Sequence, residues 1–206
     1  MARYDRCMAD GVKAESPGLR EVTRRAVKAE IASKALALFL AQGFEETTVS
    51  QIAAEVGTST RNVFRYFAGK EDMLFEEMIE LGGDVAEALA RRPGEEDAWT
   101  ALRAAVQVCV DSMEADPLGL RRAQLLLATP SLRPAMLDKQ LRWQELLVPH
   151  TIQRLRAPEQ DQELRARALV SAALSCLDVG AVEWTRRDGR GALGALVDTA
   201  FASLRQ

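Results

Sequence analysis

Thr47–Leu74 reads TTVSQIAAEVGTSTRNVFRYFAGKEDML, and its punctuation marks out three helices in a small space. Thr48 offers a hydroxyl to cap a short helix whose inward positions are Val49, Ile52, Ala53 and Val56. Gly57 follows, where a tight turn needs a positive φ. Thr58 or Ser59 can cap the next helix, TRNVFRYF, and Ala68-Gly69-Lys70 leads into a longer one over about 70–90. Upstream, 19–42 reads as helix: Ile31, Ala35, Leu38 and Phe39 fall at i, i+4, i+7 and i+8 and form one apolar stripe, and Gly43 is a stop. A first helix carrying two short ones split by a glycine turn is a helix-turn-helix.

A helix that reads DNA must bury one face and offer polar groups to the major groove from the other. In TRNVFRYF, Val63 and Phe67 are four apart and can pack on Ile52 and Val56, while Arg61, Asn62 and Arg65 share the opposite face. Arginine pairs with guanine O6 and N7, and asparagine with adenine N6 and N7. Phe64 can touch a thymine methyl or a sugar; Tyr66 and Lys70 suit phosphate. Thr48 and Ser50 stand where the second helix begins and can donate to the DNA backbone. Arg24, Arg25 and Lys28 could add a minor-groove or backbone contact. The plainer alternatives are that the arginines form a solvated helix face and that Thr48 and Ser59 are caps first.

This segment resembles the TetR family of regulators. The shared features are a first helix ending in an aromatic, I-A-x-x-x-G at Ile52–Gly57, a capped recognition helix with aromatics, and K-E-x-x-L at Lys70–Leu74. The resemblance implies an all-α fold of about nine helices: an N-terminal three-helix helix-turn-helix domain, then a larger helical ligand-binding and dimerisation domain. It also implies DNA contacts at Thr48, Ser50, Thr60, Arg61, Asn62, Phe64, Arg65, Tyr66 and Lys70. Many members have tyrosine where this chain has Phe64, which lacks the hydroxyl for a phosphate hydrogen bond common in the family.

Composition agrees. The 206 residues are 48% hydrophobic and 28% charged, a folded balance, and stretches of polar–apolar alternation are absent. The net charge of −3 is unevenly spread: residues 1–70 hold 11 Lys plus Arg against 8 Asp plus Glu, and the remainder 16 against 22. A basic end on an acidic body fits DNA binding by that end. Cys7, Cys109 and Cys176 are far apart and odd in number, which argues for reduced thiols. The opening MARYDRCMADGVKAESPG is too polar for a signal peptide, and apolar runs of membrane-spanning length are lacking. A soluble, cytoplasmic protein is expected.

The expected layout is a flexible arm over 1–18, the helix-turn-helix domain over 19–69, and the ligand-binding and dimerisation domain over 70–206. Beyond Pro93-Gly94, proline and glycine breaks divide the chain into helices near 95–114, 117–128, 131–156, 160–187 and 191–205. Leu169, Ala173, Cys176 and Gly180 form a small-residue stripe on one of the last two helices, and Leu193, Val197, Ala200 and Leu204 a stripe on the other. Both are candidates for a homodimer interface, or else for each subunit's own core. Large apolar side chains gather in the middle: Met78, Trp99, Leu102, Val106, Cys109, Met113, Leu126, Met136, Trp143 and Leu147. Most serve as core, and the resemblance implies that some line a pocket for a small apolar effector.

His150 is the single histidine, which leaves no material for a histidine-based metal site or a nucleophile–histidine system, and phosphate-cradling glycine motifs are missing. No enzyme chemistry and no cofactor are expected. The function expected is a DNA-binding regulator, a repressor released from a palindromic double-stranded operator by its effector. An activator and a helical protein-interaction module remain as alternatives; salt-insensitive association with a protein would favour the latter.

Overall fold

The computed structural model describes residues 18–156 and 158–205. The expected arm, Gly18 apart, and Cys7 lie outside the described residues. In chain order the helices are α1 (Leu19–Gln42), α2 (Val49–Val56), α3 (Thr60–Phe64), α4 (Lys70–Ala90), α5 (Ala98–Ala115), α6 (Gly119–Ala128), α7 (Arg133–Ile152), α8 (Glu159–Arg186) and α9 (Leu193–Ser203), with a single 3-10 turn, Pro130–Leu132, between α6 and α7. Strands are absent among the described residues.

Local chemistry sets the boundaries. Thr48 and Gln51 form a reciprocal capping box: the Thr48 hydroxyl accepts from the Gln51 amide at 3.2 Å, and the Gln51 side chain accepts from the Thr48 amide at 2.8 Å. Gly57 closes α2 in the left-handed region (φ 76°, ψ 32°), and Thr58 N–H returns to the Ala53 carbonyl at 2.8 Å. Ser59 caps α3 by accepting from the Asn62 amide. Arg154 finishes another end: its guanidinium donates to the carbonyls of Leu89 (2.7 Å) and Arg92 (2.9 Å) at the C-terminus of α4. α7 stops at Ile152, short of the expected 156, three residues after the proline inside it.

Two apolar cores result. The smaller gathers α1, α2, α3 and the first turns of α4 around Phe39, Ile31, Ile52 and Val63, and it also takes in Leu126 of α6 and Leu132. The larger joins α4, α5, α7, α8 and α9 around Val85, Leu102, Val106, Leu147 and Val170. Each fully buried large side chain contributes roughly 1.5–3 kcal/mol. Helix α4 belongs to both: Met73, Leu74 and Phe75 sit in the first core, Val85, Ala86 and Leu89 in the second.

The structure corrects the dimer stripes. Ala173, Cys176, Gly180, Leu193 and Val197 are buried within the subunit, Leu169 and Ala200 are half-buried against the same core, and Leu204 is exposed. The reason is close packing of α8 on α9: a Cβ added at Gly180 would lie 2.7 Å from Val197 Cγ2. The small residues serve this internal contact. The outward face of α8 lies about 120° further round the helix and carries Leu164, Ala168, Ser175, Val179 and Val182, all exposed. By length and composition alone, Gln160–Arg186 is apolar enough to cross a membrane. Its inner face is packed on α5, α7 and α9, which marks it as the core helix of a bundle.

Candidate DNA-reading surface and effector cavity

On α3 and the turn that follows it, Val63 is fully buried and Phe67 nearly so, while Thr60, Arg61, Phe64 and Arg65 are exposed. The α-helix ends at Phe64, and Arg65 to Phe67 continue as a tighter turn, with Tyr66 N–H on the Val63 carbonyl at 2.9 Å. Phe64 stands out among the described residues: a large apolar side chain, 53% exposed, beside two arginines. Arg65 lies against Tyr66, donating to its hydroxyl at 2.9 Å with the guanidinium 5.0 Å from the ring centre. Thr48 and Ser50 are exposed at the start of α2.

Three expected DNA contacts are already engaged. Asn62 is half-buried, and its amide nitrogen donates to the Thr58 hydroxyl at 2.8 Å, which commits one of its two N–H donors and holds the amide in the turn. Lys70 donates to the Phe44 carbonyl at 2.7 Å and sits 4.5 Å from the Phe44 ring centre, tying the start of α4 to the α1–α2 turn. Lys28 is paired with Glu76 and lies over the Phe67 ring. Arg24 and Arg25 are exposed on α1.

A cavity of about 190 Å³ opens between α4, α5, α6, α7 and α8. Of the ten residues expected to line a pocket, Met78, Cys109, Met113, Leu126, Met136 and Trp143 do so. Trp99, Leu102, Val106 and Leu147 do not. The last three are fully buried core, and Trp99 stacks on Phe201 (ring centres 4.5 Å apart) and donates to the Phe201 carbonyl at 3.3 Å. His150, half-buried on α7, is not in the wall.

The wall also carries charges that sequence reasoning missed: Glu77, Asp116, Arg122, Lys139 and Asp178. Arg122 bridges Glu77 (3.4 Å) and Asp116 (3.3 Å). Burial raises the Asp178 carboxyl above its ordinary range, against the pull of Lys139. Burial likewise pushes the Cys109 thiol up to about 12. Lys139 had one sequence signal: it falls on the α7 stripe of Met136, Trp143 and Leu147, a cation at an apolar position.

Cavity and reading surface share residues. Leu126, Met78 and Met136 line the cavity and also pack in or against the smaller core that carries α3. Arg121, next to Arg122 on α6, donates to the Leu40 carbonyl of α1 at 3.2 Å.

Comparison with known proteins places this architecture. Residues 31–76 match the family described as "Bacterial regulatory proteins, tetR family", and residues 96–206 match the "MftR C-terminal domain". The chain is 30% identical over 199 residues to the HTH-type transcriptional regulator TcmR of Streptomyces glaucescens, covering 92% of this chain and 87% of that one. In fold it is similar to the fatty acid degradation regulator FadR of Bacillus halodurans (TM-score 0.61, 21% identity, 92% of this chain and 96% of that one). It is similar too to FadR of Bacillus subtilis, solved in complex with stearoyl-CoA (TM-score 0.60, 20% identity, 85% and 96%). With both halves matched and a full-length relative at this identity, the chain belongs to the TetR family of DNA-binding transcriptional regulators.

Proposed function

We propose that the chain is a homodimeric repressor of the bacterial cytoplasm that leaves a palindromic operator when a small, largely apolar effector fills the cavity. One observation carries this reading: Leu126, Met78 and Met136 are wall residues of the cavity and packing partners of the DNA-reading core at once. A ligand that moves them moves the platform on which α3 stands. It shifts the balance only through unequal affinity for the two arrangements.

In this proposal Arg61 and Arg65 read guanines, Phe64 covers a thymine methyl or sugar, and Thr48, Ser50, Thr60, Tyr66 and Lys70 hold the DNA backbone. Asn62 braces the turn through Thr58. One such short helix is too brief a code, and two-fold symmetry places a second copy about one helical turn, roughly 34–36 Å, away. The outward face of α8, with Leu164 71% and Val179 60% exposed, and the exposed Ala195, Thr199 and Ala202 of α9 supply surface for a four-helix interface. Val182 lies on that face and in the cavity wall, so a partner subunit would also cover the mouth of the cavity. The acyl-CoA held by the B. subtilis fold neighbour is in keeping with an apolar effector.

Selection from a random duplex library with the purified chain tests the reading. Enrichment of an inverted repeat is expected; enrichment of single, unrepeated sites would remove the dimer. An activator remains the second reading, distinguished by whether deleting the gene raises or lowers transcription from the selected sites.

A further inference from the structure

We propose that Lys139 is the polar recognition group of the cavity, and that the cavity takes an apolar molecule bearing one acidic oxygen, a carboxylate or phenolate. This rests on the cavity being the effector site. Lys139 is only 9% exposed, yet among the described residues it has no hydrogen bond and no ion pair. Its ammonium lies 4.9 Å from the centre of the Trp143 ring, a contact that leaves its three N–H donors without acceptors. A lysine at the cavity wall with those donors unengaged by the protein is placed to give them to an anionic oxygen that enters the cavity.

The remaining wall charges do not engage those donors. Arg122 already holds Glu77 and Asp116. Asp178 acts on Lys139 electrostatically without reaching ion-pair distance, and burial raises its carboxyl above its ordinary range. The rest of the wall is mainly hydrocarbon and sulfur, from Leu81, Met113, Leu126, Trp143 and Leu177, which suits a chain or ring system with one acidic end.

Calorimetric titration of the full-length protein, free of DNA, with decanoate, decanol and decylamine tests the assignment. Decanoate is expected to bind about tenfold tighter than decanol. Lys139→Met should erase that preference while leaving decanol binding and the thermal unfolding midpoint in place, and Lys139→Arg should keep it. If Lys139→Met fails to fold, the wild-type ranking and Lys139→Arg decide. Equal binding of decanoate and decanol, tightest binding of decylamine, or a preference that survives Lys139→Met would overturn the proposal while leaving the cavity as an effector site. Binding of none of the three would overturn the effector reading with it, and DNA recognition would stand apart from both.

Discussion

The Trp143 indole N–H donates to the Met78 carbonyl at 3.0 Å, fastening α7 to α4 at the cavity wall. One turn further along α4, Gly82 leaves room for the same ring: a Cβ there would lie 2.5 Å from Trp143 Cδ1. The two helices meet as closely as backbone and indole allow, and this contact lies on the helix that enters the DNA-binding core.

Gly82→Ala should therefore displace the indole. Overpacking of this kind costs about 1–3 kcal/mol, read as a lower urea midpoint with unchanged slope. A midpoint equal to that of the wild type would contradict the packing described here.

Lys70 and Arg61 separate two ways of weakening DNA binding. Lys70→Met removes charge-assisted bonds to the Phe44 and Glu45 carbonyls and should lower stability by about 1–3 kcal/mol, while reducing affinity for all duplexes alike. Arg61 is exposed, with no hydrogen bond or ion pair among the described residues, so Arg61→Ala should leave stability within about 0.5 kcal/mol. Parallel unfolding and anisotropy titrations make the comparison; a stable Lys70→Met protein would show that the tether is dispensable.

The two faces of α8 should respond oppositely to substitution. Val179→Glu, on the outer face, is expected to give a folded monomer in sedimentation velocity. Gly180→Val, on the inner face, collides with Val197 and should lower the unfolding midpoint. A Val179→Glu protein that sediments as a dimer would move the interface elsewhere.

Thiol chemistry gives an independent check of the core. The thiolate is the reactive form, and burial pushes Cys109 up to about 12 and raises Cys176 as well. In a Cys7→Ser background, neither thiol should react with a disulfide reagent at pH 8 until denaturant is added. Prompt labelling of the native protein would show that this part of the core opens.

Much of the N-terminal third is legible in the sequence because its determinants are local. Thr48 with Gln51, Gly57 and Ser59 each act within four residues, and the positions of Val63 and Phe67 follow from helical spacing. The faces of α8 are not legible in this way. Leu169, Ala173, Cys176 and Gly180 compete with Leu164, Ala168, Ser175 and Val179, both stripes small and apolar, and only the approach of Val197 to Gly180 decides between them. Asn62 and Lys70 have the right chemistry for DNA, but their capture by Thr58 and by the Phe44 carbonyl depends on how α1, α2 and α4 meet. Lys139 is concealed for a similar reason: a lone lysine on a helix is usually solvated, and its burial emerges only when α4 and α8 pack on α7.

The most direct test of base reading by α3 is an anisotropy titration of the selected duplex, at fixed salt, with wild-type protein and Arg61→Ala against single base-pair variants. Wild-type protein should lose about 1–3 kcal/mol at one guanine in each half-site, and Arg61→Ala should lose a similar amount on the parent duplex while becoming indifferent to that base pair. If Arg61→Ala bound the parent duplex as tightly as wild type and kept the same base preferences, the exposed face of α3 would not be what this protein reads DNA with.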